Sequence, residues 1–260
     1  MIKNLLVAAF IVLYSTPCFA KKKEPPPPDP AWAGITARGR MLAEYDVAIK
    51  SALDAVRVVN PAKGTVTDWF ARKTDAGWVA AFGRLNEARD KFLVVYLATQ
   101  GATPQEFKTS QNIPPQENTG FFYLAAKAFE ISQRDFRGEK LPYNVAVLPA
   151  ESNRMYVYIY PAQTKAGIYV LGGDVRYLIS ADGSTIVEKR QMHKTILSRS
   201  DSLGPRKKVV GGVHSHVLSD VPEDTDVLCV LTRKPSVPEF VGAGKHVFRI
   251  DVNGTIWLEE

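Results

Sequence analysis

The spacing of apolar residues changes period several times along this chain. Between Ala37 and Val58 the residues Leu42, Tyr45, Ile49, Leu53 and Val56 recur every three or four positions, with Arg40, Glu44, Lys50 and Arg57 between them. That period is helical, and it predicts an amphipathic helix ending before Asn60-Pro61, where proline removes a backbone donor. VTDWFARKT, WVAAFGRL and KFLVVYLAT follow, rich in aromatic and β-branched residues and broken by turn formers such as Asp75-Ala76-Gly77. They predict an antiparallel meander. TPQEFKTSQNIPPQENTG, dominated by Pro, Gln and Asn, predicts a loop, and a second helix is expected from about 120 to 134 with Phe121, Ala125, Ala128 and Ile131 on one face.

Beyond residue 140 the period becomes two. YNVAVLPA and RMYVYIYPA flank a Glu151-Ser152-Asn153 turn, and Tyr156, Tyr158 and Tyr160 alternate with Val157 and Ile159. Alternation puts the tyrosines on one face of a strand and the aliphatics on the other. VRYLIS and TIVEKRQMH are joined by Ala181-Asp182-Gly183-Ser184, VLCVLTRKPSVPEFV reads as strand-like, and HVFRIDVNGTIWLEE carries the hairpin signal Asn253-Gly254. The fold class that follows is α+β, with antiparallel sheets and two or so packed helices. The chain divides into an N-terminal α+β region over 32–140 and a mostly-β region over 141–260.

The N-terminus changes the setting. Lys3, the apolar stretch from Leu5 to Tyr14 and Cys18-Phe19-Ala20 have the form of a secretory signal peptide over 1–20. The stretch is about half the ~20 residues of a spanning helix, so no stable membrane insertion is expected after cleavage. Residues 21–31, KKKEPPPPDPA, read as a Pro-rich linker. The expected location is periplasmic or secreted. Cleavage would remove Cys18 and leave Cys229 as the one cysteine of the mature chain, without an intramolecular disulfide. Its apolar neighbours Leu228 and Val230 predict a buried, inert thiol. The net charge of +6 includes Lys3 and the Lys21–Lys23 run, and no stretch interleaves Arg and Lys with aromatics. Nucleic-acid binding is therefore not expected; a peptide or envelope component is the expected kind of partner, and the tyrosine face offers a binding module without metal as one reading.

The candidate chemistry lies in VVGGVHSHVLSDVPEDTDV, residues 209–227. On a strand, His214 and His216 project from the same face, close enough to share one zinc ion, with Glu223, Asp224 and Asp226 downstream. The bland alternative is a pair of histidines satisfied by hydrogen bonds, with PEDTD as a helix cap. His193 and Asp201 followed by His-x-His also have the order of lysostaphin-type and D-Ala-D-Ala-type peptidases. The 12 residues between Asp201 and His214 are too few for the strands that arrangement needs.

The His-x-His and the following Asp resemble the JAB/MPN metalloprotease family over about residues 145–260. The resemblance implies zinc held by His214, His216 and Asp226, hydrolysis of amide or isopeptide bonds, and a remote glutamate as general base. Glu151 is the preferred base and Glu188 the alternative. Val217 stands where the family has proline, Asp226 comes one residue early, and Glu223 occupies the position of the family's serine, which removes the usual oxyanion donor. The resemblance assigns no role to His193.

Overall fold

The computed structural model describes residues 29–200 and 208–259. The expected signal peptide with Cys18, most of the Pro-rich linker, and Asp201 lie outside the described residues. The linker's end forms a 3-10 turn, Pro30–Trp32, capped by the Asp29 carboxylate, which accepts the Ala31 N–H at 2.8 Å. Helix α1 (Ala33–Val58) follows directly, starting earlier than its periodicity indicates. Trp32 and Ile35 pack on the C-terminal sheet, a tertiary contact that holds the first turn in place.

Strands β1 (Asp68–Thr74), β2 (Gly77–Leu85) and β3 (Phe92–Gln100) form the expected antiparallel meander. The expected loop after β3 is instead a fourth strand, β4 (Phe107–Asn118), at the sheet edge. An edge strand bonds on one side only, and Pro114 and Pro115 fall where the register shifts between the Val94 and Tyr96 pairings. Helix α2 (Phe121–Asp135) buries Phe122, Ala125, Ala126, Ala128 and Ser132, a face turned slightly from the expected one.

The second sheet is antiparallel in the order β5 (Tyr143–Pro149), β6 (Met155–Pro161), β8 (Val175–Ile179), β9 (Ile186–Gln191). Between them, β7 (Ile168–Leu171) pairs with β10 (Leu197–Ser200). The two faces of β6 are both covered. Tyr158 and Tyr160 pack in a cluster with Leu42, Tyr45 and Ala52 of α1, while Val157 and Ile159 pack with Phe122 and Ala125 of α2. These clusters draw residues from both sides of residue 140, so the two regions share their cores.

The C-terminal sheet begins with β11 (Gly212–Ser215), which runs parallel to β12 (Glu239–Ala243); β13 (His246–Ile250) and β14 (Ile256–Leu258) complete it in antiparallel order. A parallel pair needs a crossover, and that crossover is helix α3 (Asp224–Thr232). The strand-like reading of VLCVL is thereby corrected. The run has no helical period because α3 is buried all round: Val227 and Val230 face the C-terminal sheet, Leu228 the α1 cluster, and Cys229 lies against Tyr169 and Leu171. The β13–β14 connection is a Val252–Gly254 loop closed by the Asp251 N–H on the Thr255 carbonyl at 2.9 Å, longer than the two-residue turn that Asn253-Gly254 suggests. The described residues thus form an α+β fold of three α-helices and four sheets. None of the described helices is long and apolar enough to cross a membrane.

Candidate metal centre

Three separate segments deliver side chains to one point. β11 presents His214, and His216 follows it on the same face, as alternation requires. Asp226 sits at the third position of α3, where its carboxylate also accepts the Glu223 N–H at 2.7 Å while the Glu223 side chain caps the helix in return. His193 comes from just beyond β9. Its Nε2 lies 2.9 Å from His216 Nε2 and 3.1 Å from Asp226 Oδ1. His214 Nε2 lies 3.1 Å from His216 Nε2 and 3.0 Å from Asp226 Oδ1, and His216 Nε2 lies 3.2 Å from Asp226 Oδ2. One ligand atom from each of the four lies within 4.8 Å of all the others. This buried group can hold a metal ion.

The far side of each imidazole decides its tautomer. His216 Nδ1 is 2.9 Å from the Val221 carbonyl, which can only accept. His214 Nδ1 is 2.7 Å from Glu239 Oε1, and Glu239 is ionised by its contacts to Arg199 at 2.8 Å and Arg233 at 2.6 Å. His193 Nδ1 is 2.8 Å from Asp174 Oδ1, and Thr225 Oγ1 bonds the other oxygen of Asp174. All three Nδ1 atoms therefore carry protons, so in the neutral histidines three Nε2 lone pairs would converge on a carboxylate. Such a cluster repels itself unless a cation or protons lie among its members. Burial alone would push Asp226 up, but the His193 charge and the hydrogen bonds from the three histidines outweigh it and hold Asp226 well below its ordinary value. Burial alone would lower His193 and His214, yet Asp226 and Asp174 raise the first to about 11, and Asp226 and Glu239 raise the second.

Backbone geometry places Asp174. Gly172, with φ +88, leads into it, and a Cβ there would stand 2.1 Å from the Thr195 carbonyl oxygen, so only glycine lets this turn close against the His193 segment. A cavity of about 410 Å³ opens on the edges of the three histidines, between β10 and β11.

The structure brings His214 and His216 together as their spacing suggests, places Asp226 beside them as the resemblance implies, and adds His193, correcting the expectation that it stands apart. Glu151 lies on the exposed 3-10 turn between β5 and β6, its carbonyl bonded by Arg154, and is not one of the four converging groups. Glu188, on β9, sits 3.5 Å from Arg176 of the neighbouring strand. The tyrosine face is not an open platform: Tyr158 and Tyr160 are 0% and 8% exposed, and their hydroxyls bond Asp224 and Asp46. Sequence reasoning missed His193, Asp174 and Glu239. Two signals were present, a carboxylate after a Gly-Gly pair and another inside the apolar stretch VPEFV, but neither points to a histidine without the fold. No protein-family model, curated protein or solved structure matches the chain.

Proposed function

We propose that the chain is an exported zinc-binding protein whose metal is held by His193, His214, His216 and Asp226. The observation that carries this reading is the convergence of three Nε2 atoms whose Nδ1 partners are all hydrogen-bond acceptors. Zinc takes imidazole nitrogens and carboxylate oxygens at about 2.0–2.2 Å in a tetrahedron, which sets ligand atoms about 3.3 Å apart. The spacings of 2.9–3.2 Å need to open by only a few tenths of an ångström to reach it, and the widest spacing in the group, within 4.8 Å, has to close. Four protein ligands fill a tetrahedron, so the best-supported role is a structural centre that ties β9, β11 and α3 together.

Metal-assisted hydrolysis of an amide or isopeptide bond, as the JAB resemblance implies, is the second reading. The cavity against the histidine edges favours it, because a water or carbonyl oxygen there could join the zinc as a fifth ligand. Against it, Glu151 lies on the exposed turn between β5 and β6 and is not among the described residues that line this cavity, so the reading lacks the proton acceptor that the resemblance implies.

Metal analysis of the mature protein tests both. About one zinc per chain is expected, lost in His193→Ala, His214→Ala, His216→Ala and Asp226→Ala alike. Cobalt substitution then separates the roles: intense visible bands report a closed four-coordinate site, weak ones an added ligand. Zinc-free protein whose stability does not respond to added zinc would reject the centre.

A further inference from the structure

Away from the histidines, a cleft of about 690 Å³ lies between α1, the start of β1 and the segment following β6. Small-molecule sites span about 300–1,000 Å³. Asp46, Ile49, Lys50 and Leu53 of α1 line it together, since steps of three and four residues share a helix face. At its floor the Tyr160 hydroxyl donates to Asp46 Oδ1 at 2.8 Å. Among the described residues no cation reaches ion-pair distance of Asp46, and Lys50, one turn along the helix, acts on it only through space. Burial pushes the Asp46 carboxyl up, and the Tyr160 bond and Lys50 offset that only in part.

The rim contrasts with this floor. Arg57 pairs with Asp54 at 3.2 Å, and Asp68 accepts the Thr67 hydroxyl at 2.6 Å. Trp69, 42% exposed, lines the same cleft. A second hollow of about 160 Å³ shares Asp46, Lys50 and Tyr160 with the cleft and is lined further along by Asp174 and Thr225. Its lining is largely polar, whereas Ile49, Leu53, Phe70 and Phe129 give the larger cleft an apolar wall.

The geometry points to a second ligand site, one that takes a primary ammonium group on an alkyl chain, with Asp46 as its counter-charge and Trp69 at the mouth. A partly buried carboxylate that lacks a cation gains most from a ligand that brings one, because a charge-assisted hydrogen bond in a low-dielectric cleft is stronger than one in water. The alkyl part lies against the cleft's apolar wall of Ile49, Leu53 and Phe70, and the indole face adds attraction for the cation as it enters.

Nuclear magnetic resonance titration of the isotope-labelled mature protein with n-pentylamine, and separately with n-pentanol, tests this. The two probes share a shape and differ in charge. Pentylamine is expected to shift resonances around Asp46 and Tyr160 and to bind at least about tenfold more tightly than pentanol. Asp46→Asn should abolish that preference and Tyr160→Phe should reduce it. Glu117→Gln, whose carboxylate pairs with Lys91 on the first sheet, should leave it unchanged. Equal affinity of the two probes for the wild type, or shifts confined to other surfaces, would overturn the site, and that comparison does not depend on any variant folding. Neither probe requires zinc, so the result stands apart from that of the metal titration.

Discussion

His193 shows how one residue's environment sets its chemistry. In the metal-free chain burial works to lower its pKa, but the Asp226 and Asp174 carboxylates outweigh burial and carry it from 6.5 to about 11. A pKa raised on folding stabilises the folded state fully below the ordinary value and loses that contribution as pH rises through the folded value. For His193 the loss therefore runs from about 6.5 towards 11. Under the proposed zinc reading the metal needs the Nε2 that this proton occupies, so zinc uptake near pH 7 is expected to release protons, and affinity to fall as pH falls. Calorimetric titrations in two buffers of different protonation enthalpy should give different apparent heats; identical heats would contradict proton release. Asp174 and Glu239 hold the Nδ1 protons of His193 and His214. Asp174→Asn and Glu239→Gln are expected to weaken zinc about 10- to 100-fold without removing it, measured by competition with a chromogenic chelator.

Helix α3 has two tasks at the same turn, and they can be separated. Glu223 and Asp226 form a reciprocal cap, while Asp226 also faces the histidines. The Glu223 carboxylate further binds Arg190 of β9 at 2.6 Å, but it makes no contact with a ligand nitrogen. Glu223→Ala is expected to cost about 1–2 kcal/mol of stability through the lost cap, with zinc stoichiometry unchanged. Chemical denaturation of the zinc-loaded variant checks the first part and metal analysis the second. On the same helix Cys229 is 8% exposed, and burial pushes its thiol up to about 12, as expected of an inert cysteine. Slow labelling in the native state and fast labelling in denaturant should follow.

Across the molecule, Asp224 joins elements far apart in the chain. Its carboxylate, 0% exposed, accepts from Arg38 of α1 at 3.0 Å, Arg176 of β8 at 2.7 Å and Tyr158 of β6 at 2.9 Å. Removing one partner of a buried pair leaves the other charge uncompensated, which typically costs about 3–5 kcal/mol. Asp224→Ala should therefore lower the melting temperature by about 10 °C, read by calorimetry, whereas zinc added to the wild type should raise it, by about 2.7 kcal/mol of stabilisation at 100 times Kd. If Asp224→Ala also lost zinc while still folded, the two networks would be coupled rather than separate.

The amino-acid sequence by itself determined what depends on local period and residue type. α1, the first three strands, the two faces of β6 and the shared face of His214 and His216 all follow from spacings of 3.6 or 2. It placed Glu223, Asp224 and Asp226 near the start of the element after the His-x-His, and only the family resemblance singled out Asp226 among them. The tertiary structure alone decided what depends on partners distant in sequence. β4 is a strand because β3 offers it an edge, and α3 is a helix because buried surfaces on every side remove the contrast that makes a helical period visible. His193 and His216 are 23 residues apart, and Asp174 and His193 are 19, so their meeting is set by how β8, β9 and β11 are aligned. A side-chain cluster assembled across strands leaves no local pattern, since each residue is chosen for a neighbour that only folding supplies.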